Sequence, residues 1–139
     1  MRSIQLRLAP ALVCAAICLA AARLPSAFAD DNVPPEMSYG PRFIQSDGAA
    51  LYRATCRGCH MPDGEGAKGA GMYPALAGNP QLVTGAYVAD VVLHGRNGMP
   101  GFGDRMSNDQ VAAVVNYVRT NFGNQSTDPL SAADVANMR

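Results

Sequence analysis

Apolar positions near the end of the chain recur as Val111, Val114, Val115, Val118 and Phe122, the i, i+3, i+4, i+7, i+11 rhythm of a helix with one buried stripe. Ser107 and Gln110 make a capping box ahead of it and Gly123 supplies a stop, so a helix is predicted over 108–121. Tyr87, Val88, Val91 and Val92 predict a second helix over about 86–94, started at Thr84 or Gly85 and ended by Gly95. Ser46 and Asp47 are N-cap types, and Gly48, Tyr52 and Thr55 share one face of a helix expected over 46–56. Ser131 with Asp134, after Asp128-Pro129, fits a short capped helix and a frayed tail equally well. No stretch alternates as a strand does, and there is no repeat or heptad. Between the first two helices, residues 61–85 hold six glycines (64, 66, 69, 71, 78, 85) and three prolines (62, 74, 80), which no helix interior tolerates. A loop of that length is uncommon in a small domain unless it wraps something.

Composition sharpens this. The 139 residues are 48% hydrophobic and 16% charged, enough for one small domain. Five Tyr, four Phe and no Trp make a modest apolar core, so another group is expected to contribute surface to it. Eleven basic residues balance eleven acids, and no basic stripe exists to bind nucleic acid. Arg2 and Arg7, the apolar run over 8–22 and Ala27-Phe28-Ala29 read as a secretory signal peptide over 1–29, cleaved after Ala29. The 15-residue apolar run is short for a bilayer span, so no membrane span is expected after cleavage; retention as an anchor is the alternative. Neither Cys14 nor Cys18 follows the small residue that lipoprotein processing wants. Beyond the leader, 30–45 reads as an extended arm (Pro34, Pro35, Pro41), 46–123 as the folded domain and 124–139 as a tail. This exported part has eight basic residues against the same eleven acids, a charge near −3, and keeps only Cys56 and Cys59.

Those two cysteines stand in Cys56-Arg57-Gly58-Cys59-His60, the c-type haem attachment pentapeptide. Two thiols separated by two residues reach the two vinyl groups of one porphyrin, and the next residue brings an imidazole to the iron. Three alternatives fit less well. A redox Cys-x-x-Cys expects a strand before it and a helix after it, the reverse of this pattern. Zinc needs about four ligands, and only Cys56, Cys59, His60 and the distant His94 are on offer. A two-residue disulfide leaves the long loop unexplained.

The chain also carries Gly48-Ala-Ala-Leu-Tyr52, Asp63-Gly-Glu-Gly66, Tyr73-Pro74-Ala-Leu-Ala-Gly78, Gly95-Arg-Asn-Gly-Met-Pro-Gly-Phe102 and Val111-Ala-Ala-Val-Val-Asn-Tyr-Val-Arg119. With the pentapeptide, these landmarks over residues 46–122 resemble the class I monohaem c-type cytochromes of bacteria. The resemblance implies an all-α small cytochrome c fold, three to four helices around one covalent haem c. In it Gly48 permits a close crossing of the first and last helices and Tyr52 packs near Tyr117 or Val118.

Of seven methionines, Met72, Met99 and Met106 lie where a second axial ligand is needed. Met99, in Gly98-Met99-Pro100, matches the family's axial Met-Pro signature, whereas Met106 reads as a hydrophobic staple before Ser107 and Met72 as a residue packing on the haem edge. His94 is the alternative ligand, although its position near a helix end suits a solvated histidine. The resemblance also implies that the Pro74 carbonyl accepts the His60 Nδ1 hydrogen. Tyr73, Arg96 and Asn97 are candidates to meet the haem propionates, and Arg57 reads as solvated. His/Met ligation fills both axial positions and suits one-electron transfer without catalysis. The resemblance thus implies a periplasmic electron carrier, with a periplasmic dehydrogenase as donor and a terminal oxidase or another cytochrome as acceptor, the arm and tail being available for docking. A haem-based ligand sensor or peroxidase with an open sixth position is the alternative; a thiol-disulfide oxidoreductase ranks third.

Overall fold

The computed structural model describes residues 40–69 and 71–139, all within the unit Pro34–Arg139. The signal-peptide reading over 1–29 and the first part of the arm, 30–39, lie outside the described residues.

The first helical segment starts at Asp47, whose carboxylate accepts from the Ala50 amide at 2.9 Å. It runs as α1 (Gly48–Leu51), a π-helical stretch (Tyr52–Cys56) and α2 (Arg57–His60). The helix expected over 46–56 therefore does not stop near Cys56. No proline intervenes before Pro62, so the backbone stays helical through the pentapeptide until Met61 takes φ +66° and ends it. At the start of the pentapeptide, the Arg57 amide donates to the Tyr52 carbonyl five residues back, the register shift of a π turn that ends on the first thiol.

The long loop is more structured than its glycine content suggests. β1 (Ala67–Lys68) and β2 (Met72–Tyr73) pair antiparallel, Ala67 with Tyr73 and Lys68 with Met72. Two-residue strands are too short for alternation to register, which is why no strand was legible. A 3₁₀ turn follows (Pro80–Val83), capped by the Asn79 side chain accepting from the Gln81 amide at 2.9 Å. Then come α3 (Gly85–His94), α4 (Asn108–Thr120) and α5 (Ala132–Ala136).

Helix α4 is the spine. Its start has both halves of the Ser107–Gln110 capping box, and Val111, Val114, Val115 and Val118 are buried on one stripe. Helix α1 crosses it at Gly48, where a Cβ would overlap the Ala113 carbonyl and lie 2.6 Å from Tyr117 Cβ. Tyr52 enters the core between Tyr117 and Phe122, at ring-centroid distances of 5.6 and 4.9 Å. Helix α5 forms with its own capping box and buries Val135, so the tail packs on the domain and is not frayed.

One organising residue has no signature in the sequence. Arg119 is 1% exposed. Its guanidinium donates to the carbonyls of Leu82 (2.9 Å), Val83 (2.6 Å) and Asp128 (2.7 Å) and to the Asp128 carboxylate (2.7 Å). A single planar fork thus joins the 3₁₀ turn and the tail to α4. The acceptors lie up to 37 residues away in sequence, so periodicity could not reveal them.

Candidate haem site

Cys56 closes the π-helical stretch and Cys59 follows on the next turn, Cys56 half-buried and Cys59 exposed, both as free thiols. Burial, with a smaller contribution from the neighbouring Cys59 thiol, pushes the Cys56 thiol up to about 12, so it is protonated at neutral pH.

His60 ends α2 and is 8% exposed. Its Nδ1 donates to the Pro74 carbonyl at 2.9 Å, so that in the neutral ring Nε2 is the lone-pair nitrogen, the form in which imidazole ligates a metal. Two features hold that arrangement. Gly66, at φ +68°, lies against the chain at 73–75: its Cβ would overlap the Tyr73 carbonyl and come within 2.8 Å of Pro74 C and Ala75 N. The Gly66 amide also donates to the His60 carbonyl at 3.1 Å. On the core side, the Tyr52 hydroxyl donates to the Met61 carbonyl at 2.7 Å, fixing the turn directly after His60. Burial holds the Tyr52 phenol far above its usual range, so it remains a neutral donor.

The three methionines separate clearly. Met106 is 2% exposed in the core and Met72 is 74% exposed at the end of the small ladder. Met99 is half-buried against the hydrophobic core, in a turn closed by paired Arg96 and Met99 backbone hydrogen bonds of 3.0 and 2.9 Å. Asn97 takes φ +53° in this turn, and Gly95 at φ +79° lets the Met99 carbonyl and Gly101 amide approach where a Cβ would stand. The segment then returns along α3, the Phe102 amide donating to Val92 at 2.8 Å and the Gly103 amide to Leu93 at 3.1 Å.

The remaining candidates are peripheral. Tyr73 is exposed. The Arg96 guanidinium donates to the Tyr87 hydroxyl at 2.8 Å and sits 5.7 Å from that ring's centroid. Arg57 is exposed. His94 is exposed on α3, with Nδ1 3.0 Å from the Asp90 carboxylate. Among the described residues, no group of three or more His, Cys, Asp or Glu is placed to hold a metal ion.

The sequence profile of cytochrome c oxidase, cbb3-type, subunit III matches residues 45–118, more than half of the chain. The chain belongs to this family of c-type cytochromes. The cytochrome c subunit of alcohol dehydrogenase (quinone) from Gluconacetobacter polyoxogenes is 38% identical over 105 residues, covering 66% of this chain and 22% of that protein. The fructose dehydrogenase cytochrome subunit of Gluconobacter japonicus is 34% identical over 116 residues, covering 72% of this chain and 24% of that subunit. Cytochrome c-552 of Thermus thermophilus is 30% identical over 115 residues, covering 68% of this chain and 86% of that protein. The chain thus spans less than a quarter of the length of the dehydrogenase subunits it matches. It is a c-type cytochrome with an all-helical cytochrome c fold, and its cofactor is haem c attached through Cys56 and Cys59.

The residues present fit that group. A thiol pair at attachment spacing precedes a histidine whose tautomer is set for metal binding, and Thr55, next to Cys56, has a buried hydroxyl with no hydrogen-bond partner. Among the described residues no helix is long and apolar enough to cross a membrane.

Proposed function

We propose that this protein is an exported, periplasmic carrier of single electrons in which His60 and Met99 are the axial ligands, with a dehydrogenase as donor and an oxidase or second cytochrome as acceptor. The observation that carries the reading is the 2.9 Å hydrogen bond from His60 Nδ1 to the Pro74 carbonyl. It commits one ring nitrogen to the protein and leaves the other as a lone-pair donor directly after the thiol pair. The half-buried Met99, on a turn closed by its own backbone, supports the second ligand better than the core residue Met106 or the exposed Met72. When bound, haem c supplies a one-electron couple between ferrous and ferric iron. The chain's own residues orient the imidazole, hold the thioether side chain and exclude water with the core around Tyr52.

The names of the alcohol, fructose and gluconate dehydrogenase cytochrome subunits support the donor class. Export rests on the leader pattern over 1–29, and the division into leader, arm, 46–123 domain and tail goes with it. In the oxidised protein, the weak near-infrared band of methionine sulfur on ferric haem is expected, with weak carbon monoxide binding after reduction. Met99→Ala abolishes the band, lowers the potential and admits added ligands. A band that survives Met99→Ala and disappears in Met106→Ala overturns the assignment; a wild type without the band favours His94 or an open position.

A further inference from the structure

The segment between Met99 and the α4 cap has no regular structure, yet both ends of the described chain grip it. Helix α5, anchored by buried Val135, presents Arg139 to its far side. The Arg139 guanidinium donates to the carbonyls of Gly103 and Met106, each at 2.7 Å, and to the Asn108 side chain at the start of α4. From the other end, Arg105 donates to the Pro41 carbonyl at 3.0 Å and lies 4.6 Å from the Phe43 ring centroid. Gln110 donates to the Phe43 and Gln45 carbonyls at 2.9 and 2.7 Å.

We propose that Arg139 is a positioning residue for the sixth ligand: by clasping the carbonyls of Gly103 and Met106 it suppresses local opening of residues 99–106 and so keeps the Met99 sulfur in place. This rests on Met99 being the axial ligand. It assigns the tail a role inside the electron carrier in place of the partner docking that its position outside the haem core suggested. The reasoning is energetic. A loop with few buried side chains opens locally at a free energy well below that of global unfolding. Charge-assisted hydrogen bonds from one guanidinium to two backbone carbonyls contribute to the closed form alone. An added ligand reaches the iron only from the open form, so its apparent affinity scales with the open fraction.

The test is imidazole titration of the ferric, full-length holoprotein, read from the visible spectrum and the near-infrared band, alongside denaturant unfolding read by circular dichroism. Arg139→Gln is expected to tighten apparent imidazole binding about tenfold, the ratio set by losing one to two such bonds from the closed state. Asp128→Asn weakens another attachment of the tail, at Arg119, without touching the loop. It is expected to lower the unfolding midpoint and leave imidazole affinity within twofold of wild type. Arg139→Gln binding imidazole within twofold of wild type overturns the clasp, as does Asp128→Asn matching its effect, which makes the tail merely a stability element. A near-infrared band that persists in Met99→Ala is a separate result, overturning the ligand assignment on which the clasp rests.

Discussion

Gly66→Ala tests how the histidine side of the site is built. Gly66 has φ +68°, and an alanine there bears the left-handed penalty of about 1 kcal/mol or a little more. The new methyl also lands on the Tyr73 carbonyl and within 2.8 Å of Pro74 C and Ala75 N, all backbone atoms that no rotamer change can move aside. Relieving such an overlap by backbone displacement costs typically about 1–3 kcal/mol, so the total is about 2–4 kcal/mol. The displacement moves Pro74 away from His60, lengthening the 2.9 Å hydrogen bond that makes the imidazole a stronger donor. A weaker donor stabilises ferric iron less, so the reduction potential rises. Denaturant unfolding followed by circular dichroism gives the first quantity and a spectroscopic redox titration the second. Gly69→Ala is the control from the same loop: a Cβ there meets nothing within 4 Å, and stability should stay within about 0.5 kcal/mol. A Gly66→Ala protein as stable as wild type and with the same potential refutes the claim that this close approach positions Pro74.

Arg119→Met removes four hydrogen bonds, one of them to the carbonyl of buried Leu82, and should lower stability by about 3 kcal/mol; a denaturant midpoint shift worth under 1 kcal/mol shows that the fork is dispensable. Met106→Ala empties a core position and should cost about 2–5 kcal/mol in the same assay, with the near-infrared band intact. The Asp134 carboxyl is held below the usual aspartate range by the Ser131 hydroxyl and then the Ser131 amide. A lowered folded-state value means that its contribution to α5 is complete above about pH 4 and fades as pH falls through that lowered value. The protection of the α5 amides, their exchange measured against the unstructured chain at the same pH, should therefore fall in acid, and Asp134→Asn should remove that loss of protection.

The helices were legible because each announces itself locally. The Val111–Val118 stripe, the Ser107–Gln110 box and the Gly95 stop are short-range signals, and the structure places α3 and α4 within a residue or so of where they predict. The first helix was misjudged at its end because the pentapeptide is itself helical and the breaking proline comes only at Pro62. Ranking Met106 as a core residue was also possible from sequence, since it stands immediately before a helix cap. The role of Gly66, the Tyr52 hydroxyl on Met61, the Arg119 fork and the Arg139 clasp were not legible. Each depends on backbone carbonyls meeting a donor or on a missing Cβ, and carbonyls leave no trace in residue identity.

The two sides of the proposed iron site differ in what holds them. His60 belongs to a helix whose preceding turn carries Tyr52 into the core, and its neighbours Met61 and Pro74 are tied to Tyr52 and to the ring itself. Disturbing it means disturbing the crossing of α1 and α4. Met99 sits on a two-residue turn whose bonds are its own backbone pairs, beyond which the chain is fastened to α3 by Phe102 and Gly103, to the Pro41 carbonyl by its own Arg105 and to the tail by Arg139. Those fastenings can release without unfolding a helix. With His60 and Met99 as the proposed axial ligands, Met99 is expected to yield first under heat, denaturant or competing ligand, and His60 to remain until the helical core itself is lost. On the proposed ligation, the stability of the sixth bond follows a few loop hydrogen bonds more closely than it follows the stability of the fold.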